Sequence, residues 1–285
     1  MVKRDWLGFL GYLSLIAFAV GAVLPSIYAV ALAFTNAKLF GELFRFDGLS
    51  AFSRLFSDRG FLAAIVRTGI FALITSLLMT VIGCALAFSV SERRILKRVV
   101  AIAVFFPWLL SEASIAALYR WLFDPIGGPL SLGGFLATES GAFVAIIIVQ
   151  LWRELALGFL VMTAGIETIP KDLVDASRVD GLSERSIFFR LKLPLVSRMI
   201  GLVFILSALR AVGEFGIIYL LTSGGPANAT EMLSIYMFKR LLYHHDLSGA
   251  AAVGVLIMLA FISLGLLLNL WGFRRRWEKR GYLWR

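Results

Sequence analysis

The chain has one cysteine, Cys84, set inside an apolar run, and two histidines, His244 and His245, side by side. A lone cysteine closes no disulfide within the chain and builds no thiolate metal site, so Cys84 reads as a small buried hydrophobe. Adjacent residues do not face one way on a helix, and the histidine pair reads as solvated groups at an interface. There is no H-E-x-x-H and no G-x-x-x-x-G-K-[ST]. No glycine is followed by a lysine anywhere, so the chain forms no phosphate-cradling P-loop. Nothing resembles a nucleophile beside a base. No catalytic residue, metal or cofactor is expected in this chain, and it does not read as an enzyme acting alone.

Charge is scarce as well. Only 16% of the 285 residues are charged, where a soluble domain carries about 25%. Hydrophobic residues make up 60% and the mean hydropathy is +0.87. That excess is too large for one globular core, so the chain is expected to be integral to a membrane. Membrane strands need short alternating segments. Runs such as 65–90 are continuous instead, which predicts an all-α membrane protein.

Six spans are predicted, at about 7–34, 65–90, 99–119, 142–167, 199–221 and 247–271, each long enough to cross a bilayer. The first is too long for a signal-peptide core and reads as an uncleaved span, with a kink expected at Pro25. Between the spans lie polar segments. Lysines and arginines divide unevenly among them: 18 fall in the N-terminus, 91–98, 168–198 and the C-terminal tail, against 7 in 35–64, Arg120 and Lys239-Arg240. The rule that cytoplasmic segments are the basic ones therefore places both termini and the 168–198 stretch in the cytoplasm. The formal net charge of +10 is then mainly a topology signal and does not imply nucleic acid. No repeat or linker is evident, and residues 1–285 read as a single transmembrane domain.

Residues 168–198 are charged and amphipathic, with a membrane-length run on either side. Pro170 suits a first helical turn. Gly181 suits a left-handed helix end, Ser183 an N-cap for a second short helix, and Pro194 closes the stretch before the next span. The prediction is helix, glycine turn, helix. From the residues alone, a hairpin lying on the membrane surface and a docking element for a partner are equally open.

Away from the span ends, where Arg67 lies, five charged residues fall within predicted spans, where charge is costly and usually faces an interior or a watery path: Glu112, Arg153, Glu154, Arg210 and Glu214. Arg210 and Glu214 are four apart, which predicts that they share a helical face and pair, with Ser207 one turn earlier. Structural ion pairing and a solute path are both open.

Two motifs settle the direction of the reading. Asp175-Ala176-Ser177, then Asp180-Gly181, Phe188-Phe189 and Leu193-Pro194, resemble the EAA…DG…F…LP loop of ABC-importer permeases. Asp175 stands for the family glutamate and Ser177 for its second alanine. Thr222-Ser223-Gly224-Gly225-Pro226 resembles the TxGGP signature of the sugar-type members, and Phe105-Phe106-Pro107, Trp121 and Asp246-Leu247 fit the same family. The similarity runs from about residue 34 to 271, closest to the larger-subunit type of the maltose and glycerol-3-phosphate systems. The large extracytoplasmic insertion of the maltose relative is absent here.

The resemblance implies the type I importer permease fold in the cell (inner) membrane. It implies a second permease, two cytoplasmic ATPase subunits that hold ATP and Mg, and an extracytoplasmic solute-binding protein. The 168–198 loop would be the coupling helix. Counting from the two motifs, Arg153, Glu154 and Leu157, and Ser207, Arg210, Ala211 and Glu214, fall on positions that line the sugar site in the maltose-type relative, so a sugar-like solute is implied. A non-sugar anion such as glycerol phosphate stays open for the two arginines. An ion-coupled secondary transporter relaying through Glu112 or Glu214, and a membrane scaffold, are the rival readings.

Overall fold

The computed structural model describes residues 11–40, 45–124, 126–130 and 134–281. The first four residues of the predicted first span, Lys3, Arg4, Phe44, Pro125 and Arg285 lie outside these. The described chain is helical: α1 (Gly11–Leu32), α2 (Ser50–Ser57), α3 (Arg59–Val90), α4 (Arg94–Phe105), α5 (Glu112–Leu122), α6 (Glu139–Glu167), α7 (Lys171–Val179), α8 (Glu184–Leu195), α9 (Ser197–Val212), α10 (Gly216–Thr222), α11 (Leu233–Leu242) and α12 (Leu247–Gly281). Within α1, a widened π turn at Ala19–Val23 takes up the clash that Pro25 makes one turn back.

Four of these helices are long and apolar enough to cross a bilayer: Gly11–Leu32, Arg59–Val90, Glu139–Glu167 and Leu247–Leu267. The count reaches six if each of two bent pairs is one span. One pair is α4, extended by a 3-10 turn to Leu109, with α5, bent by 102°; the other is α8 with α9, bent by 61°. The predicted third span, 99–119, is thus not continuous. Pro107 sits in the 3-10 turn, and Ser111 breaks away in extended backbone to cap α5, its hydroxyl accepting from the Ser114 N–H. The predicted fifth span, 199–221, is also broken, at Gly213–Phe215 between α9 and α10. Hydropathy averaged over a window does not register a three-residue interruption. The predicted outer loops contain helices α2 and α11, which are amphipathic and too short to carry a span signal.

The described residues form two compact units. One comprises the described residues up to Ala63 together with Tyr236–Ala260. Its polar centre is Asp58, which accepts from the Tyr236 hydroxyl at 2.7 Å and from Arg240 Nη2 at 2.8 Å. Arg240 also donates to Tyr236 Oη and to Asp246 Oδ2, and Asp246 Oδ1 caps α12 through the Gly249 N–H at 2.8 Å. This network ties α11 to the starts of α3 and α12. His245 is exposed, and its carbonyl accepts from the Leu39 N–H.

Two titrating groups in this network are shifted in opposite senses. The hydrogen bond from Tyr236 holds the Asp58 carboxyl below its usual range. Burial, reinforced by the hydrogen bond to Asp58, pushes the Tyr236 phenol up to about 12. A raised phenol pKa means that the folded state binds the proton more tightly than the unfolded chain does. Its contribution is whole below pH ~10, the unfolded value, and is lost as pH rises through about 12. The Asp58 contribution runs the other way, lost as pH falls through its depressed folded value. Melting temperature is therefore expected to drop across pH 10–12 in the native protein, and to drop less steeply in Tyr236→Phe. Equal slopes would show that folding does not raise the Tyr236 pKa.

The second unit comprises Ala64–Ile235 and Phe261–Arg285. Here α9 and α4 pack on α6, and α10 packs on α5 and α6. Two apolar clusters form. One gathers Phe71, Ile146, Val149, Ile217, Ile218 and Ile235; the other gathers Met79, Val104, Ala156, Phe159, Met162 and Val203. The backbones of α3 and α6 meet at Gly83 and Gly158. A Cβ on Gly83 would lie 2.9 Å from the Gly158 carbonyl carbon, whereas one on Gly69 of the same helix would meet nothing within 4 Å. Membrane helices rely on such small-residue approaches, since lipid supplies no hydrophobic drive between them. Gly83→Ala is expected to destabilise the protein by about 1–3 kcal/mol through overpacking, while Gly69→Ala leaves melting unchanged or slightly raised. Equal melting of the two variants would refute the close approach.

Candidate functional site

Between the two apolar clusters, α6 carries Arg153 and Glu154, and α9 carries Arg210. The breaks in the bent helices bring two more charges to the same layer. Glu112 stands in the first turn of α5, where a carboxylate faces the positive end of the helix. Glu214 stands in the break before α10, and its Oε1 accepts from the Ile217 N–H at 3.1 Å, satisfying one of the donors a helix start leaves open. The Glu214 carbonyl accepts from the Ser234 hydroxyl at 2.5 Å.

The pairing departs from the expectation. Arg210 and Glu214 do not pair along one helix, because the break at Gly213–Phe215 turns them apart; each finds its partner on α6 instead. Arg153 donates from Nη1 to Glu214 Oε2 at 2.9 Å, its Nη2 lies 2.9 Å from Glu112 Oε1 as an ion pair, and its Nε lies 3.6 Å from Glu154 Oε1. Arg210 grips both oxygens of Glu154, through Nη2 to Oε1 at 2.7 Å and through Nε to Oε2. Glu154 and Glu214 are buried, their side chains 3% and 7% exposed. Buried charges persist when paired and hydrogen-bonded: Glu154 Oε1 and both Glu214 oxygens accept hydrogen bonds, while Glu154 Oε2 has only its ion contact with Arg210 Nε.

The layer opens onto a cleft of ≈ 790 Å³ lined by Glu112, Arg153, Arg210, Glu214 and the side chain of Phe261 on α12, among others. Of the other predicted pathway residues, Ser207 is buried on α9 with its hydroxyl unpaired. Ala211 is packed in the first apolar cluster, and Leu157 is half-buried on α6. The structure therefore gathers Arg153, Glu154, Arg210 and Glu214 with Glu112, and leaves Ala211 in the core. One residue passed unnoticed in sequence. A Cβ on Gly216 would stand 1.6 Å from Glu112 Oε2, so α10 begins with glycine because the Glu112 carboxylate occupies the space. The repeated glycine of Gly213-Glu214-Phe215-Gly216 was the available signal.

The 168–198 stretch folds largely as predicted. Pro170 precedes α7 in extended backbone, just outside the first turn. Gly181 has φ +80°. The Leu182 N–H reaches back to the Ser177 carbonyl at 3.1 Å and the Gly181 N–H to Arg178 at 3.0 Å, a Schellman ending that needs φ > 0 at Gly181. Ser183 caps α8 by accepting from the Ser186 N–H. Pro194 lies within α8, and the chain breaks two residues later at Val196, so the proline begins the last turn instead of closing it. Asp175, Ala176, Asp180 and Phe189 are exposed, while Ser177 and Phe188 are half-buried. Phe188 meets Phe88 of α3 edge to face, with ring centroids 4.9 Å apart.

Arg178 organises the hairpin. It donates to Glu184 at 2.7 Å and to Asp175 at 3.0 Å, and lies 3.6 Å from Glu92 in the α3–α4 connection. Glu92 also accepts from Lys192 at 3.1 Å. Glu92 and Arg178 line a cavity of ≈ 260 Å³ with Ile169, Val174, Asp175 and Lys192. The sequence reading noted the basic residues of 91–98 and passed over Glu92, which holds that connection to the hairpin.

Membrane-length helices, two of them bent, around a charged cleft are the makings of a membrane transport subunit. Residues 79–277 match the family described as binding-protein-dependent transport system inner membrane component, and the chain belongs to that family. It is 31% identical over 234 residues to the sn-glycerol-3-phosphate transport system permease protein UgpA of Yersinia pestis bv. Antiqua, covering 79% of each chain. It is 30% identical over 242 residues to the trehalose/maltose transport system permease protein MalF of Thermococcus litoralis, covering 81% of each. Among solved structures it resembles a chain of a bacterial alginate ABC transporter in complex with an alginate pentasaccharide-bound periplasmic protein. The TM-score is 0.80 over 96% of both chains at 22% identity, a likeness of fold. The expected ABC importer permease, with its type I fold and inner-membrane location, is borne out.

Proposed function

We propose that the chain forms one half of the translocation pathway of an ATP-driven importer for a sugar or related polyol. A second permease would complete the pathway, two ATPase subunits would hold and hydrolyse ATP in the cytoplasm, and an extracytoplasmic binding protein would deliver the solute. The carrying observation is the cross-paired charged layer, which lines a cleft between two apolar clusters. Charges within apolar spans usually face an interior or a watery path, and carboxylates and guanidinium groups are strong acceptors and forked donors for hydroxyls. The relatives named for glycerol-3-phosphate and for trehalose and maltose support the solute class.

In this reading ATP binding closes the ATPase dimer, and the hairpin of α7 and α8 carries the motion through Arg178 and Glu92 to the ends of α3 and α4. The spans then open outward. The broken helices α4–α5 and α9–α10 carry Glu112 and Glu214 on their hinges, so movement there remakes the Arg153 pairs.

Affinity purification through a tag on the C-terminus, gently from native membranes, tests the proposal. A P-loop ATPase, a second permease and ATP-dependent sugar uptake by the reconstituted complex are expected. A chain that emerges alone as a homo-oligomer and moves solute on a proton gradient would overturn it.

A further inference from the structure

The charged layer has an odd member. Three carboxylates, Glu112, Glu154 and Glu214, face two guanidinium groups, Arg153 and Arg210, so the layer has one carboxylate more than it has guanidinium partners. The Arg153 guanidinium is fully engaged, and that of Arg210 is engaged along one edge. Arg153 turns Nη1, Nη2 and Nε each toward a carboxylate, and Arg210 holds Glu154 through Nε and Nη2.

An anionic solute has two routes into such a site, and both are unfavourable. It can displace Glu154 or Glu214 from its arginine, which takes a buried carboxylate from its hydrogen-bonded cation. Otherwise it must add a second uncompensated negative charge beside apolar walls, where like charges repel most strongly. An uncharged polyol meets neither obstacle. Its hydroxyls donate to carboxylate oxygens and accept from N–H groups without breaking an ion pair. The side chains most open to the cleft, Glu112 at 44% exposed and Arg210 at 47%, present one acceptor and one donor group for such bonding. Of the three carboxylates, Glu112 is the most open to a solute; Glu214 also lines the cleft but is buried, as is Glu154. The excess negative charge is therefore felt most at Glu112.

Resting on the importer reading above, we infer that this cleft selects by charge: it takes an uncharged saccharide or alditol and rejects sugar acids and sugar phosphates, with Glu112 supplying the discrimination. The chain would then part company in solute with relatives named for glycerol-3-phosphate and for the acidic polysaccharide alginate.

The test uses the intact importer in lipid nanodiscs without its binding protein, so that the permease's own site is read. Thermal shifts are titrated with matched probes at fixed ionic strength: glycerol against glycerol 3-phosphate, glucose against glucuronate, trehalose against trehalose 6-phosphate. For at least one pair the neutral member binds, and its anionic partner binds weaker by about tenfold or more. Glu112→Gln, which brings the layer to charge balance, narrows that gap. An anion that binds as well as its neutral partner, or a gap unchanged in Glu112→Gln, overturns the charge filter alone. No binding by any probe while ATP-driven uptake proceeds with the binding protein present shows that the permease has no solute site of its own, and also overturns it. No binding and no ATP-driven uptake of any probe sinks the importer reading, and the filter with it.

Discussion

Arg153→Ala is expected to cost the assembled protein, whereas Arg210→Ala is expected to cost uptake while leaving assembly intact. The two arginines are of one type and lie in one layer, so the contrast rests on their surroundings. Arg153 is 15% exposed and serves three carboxylates on α5, on α6 and in the α9–α10 break. Removing it leaves the buried Glu214 with only its backbone contact to Ile217. Stranding one partner of a buried pair costs about 3–5 kcal/mol, a large part of the stability of an ordinary domain. Arg210 stands nearly half exposed to the cleft and is paired with Glu154. Its loss removes the hydrogen bond to Glu154, but that carboxylate stays within 3.6 Å of Arg153 and opens to water on the side that half-exposed Arg210 vacates, while the cleft loses its most accessible donor. The measurements are yield and melting temperature of the purified complex beside ATP-dependent uptake. Arg153→Ala should fall in yield and melt lower. Arg210→Ala should assemble normally and lose uptake by about 10²-fold, the scale of a misplaced contact in a functional site. A neutralised background separates folding from function for Arg153. With Glu112→Gln and Glu214→Gln added, Arg153→Ala should assemble again and still not transport. If Arg153→Ala assembled as well as the wild type, the layer would not be a buried network.

How much of this was legible in sequence depends on the length over which each signal is written. Spans announce themselves through some twenty residues of hydropathy, and α3, α6 and α12 were found close to their observed positions. The charged candidates were found because charge in a span is rare. What escaped was local. The breaks at Pro107–Ser111 and Gly213–Phe215 occupy a few residues inside otherwise apolar runs, yet they decide the pairing. An unbroken fifth span would put Glu214 one turn above Arg210 on the same face, and the observed break sends it to Arg153 instead. The place of Gly216 beneath the Glu112 carboxylate joins residues a hundred positions apart and has no counterpart in periodicity. The hairpin was the reverse case. Its glycine turn and serine cap act within five residues of themselves, so the motif and the geometry coincide.

In the hairpin the largest expected effect falls on coupling. Arg178→Ala should leave folding and ATP hydrolysis standing while uptake per ATP falls by about 2- to 30-fold, the range that a residue on a coupling route commands. The residue is exposed, and exposed ion pairs add little to stability. The contacts of Arg178 with Asp175, Glu184 and Glu92 therefore matter for relative position more than for folding. They join the end of α7 to the start of α8 and both to the α3–α4 connection, so motion of the hairpin reaches the spans as one body. Without Arg178, Glu92 keeps Lys192 but α7 is released from it. A charge exchange distinguishes this from simple loss of a side chain. Arg178→Glu combined with Glu184→Arg restores the α7–α8 pair and sets the introduced carboxylate against Glu92 across the cavity. Uptake per ATP should stay low in that double variant and recover when Glu92→Lys is added. Recovery without Glu92→Lys would mean that the α7–α8 pair alone carries the motion, and normal coupling in Arg178→Ala would remove the hairpin's ion pairs from the mechanism altogether.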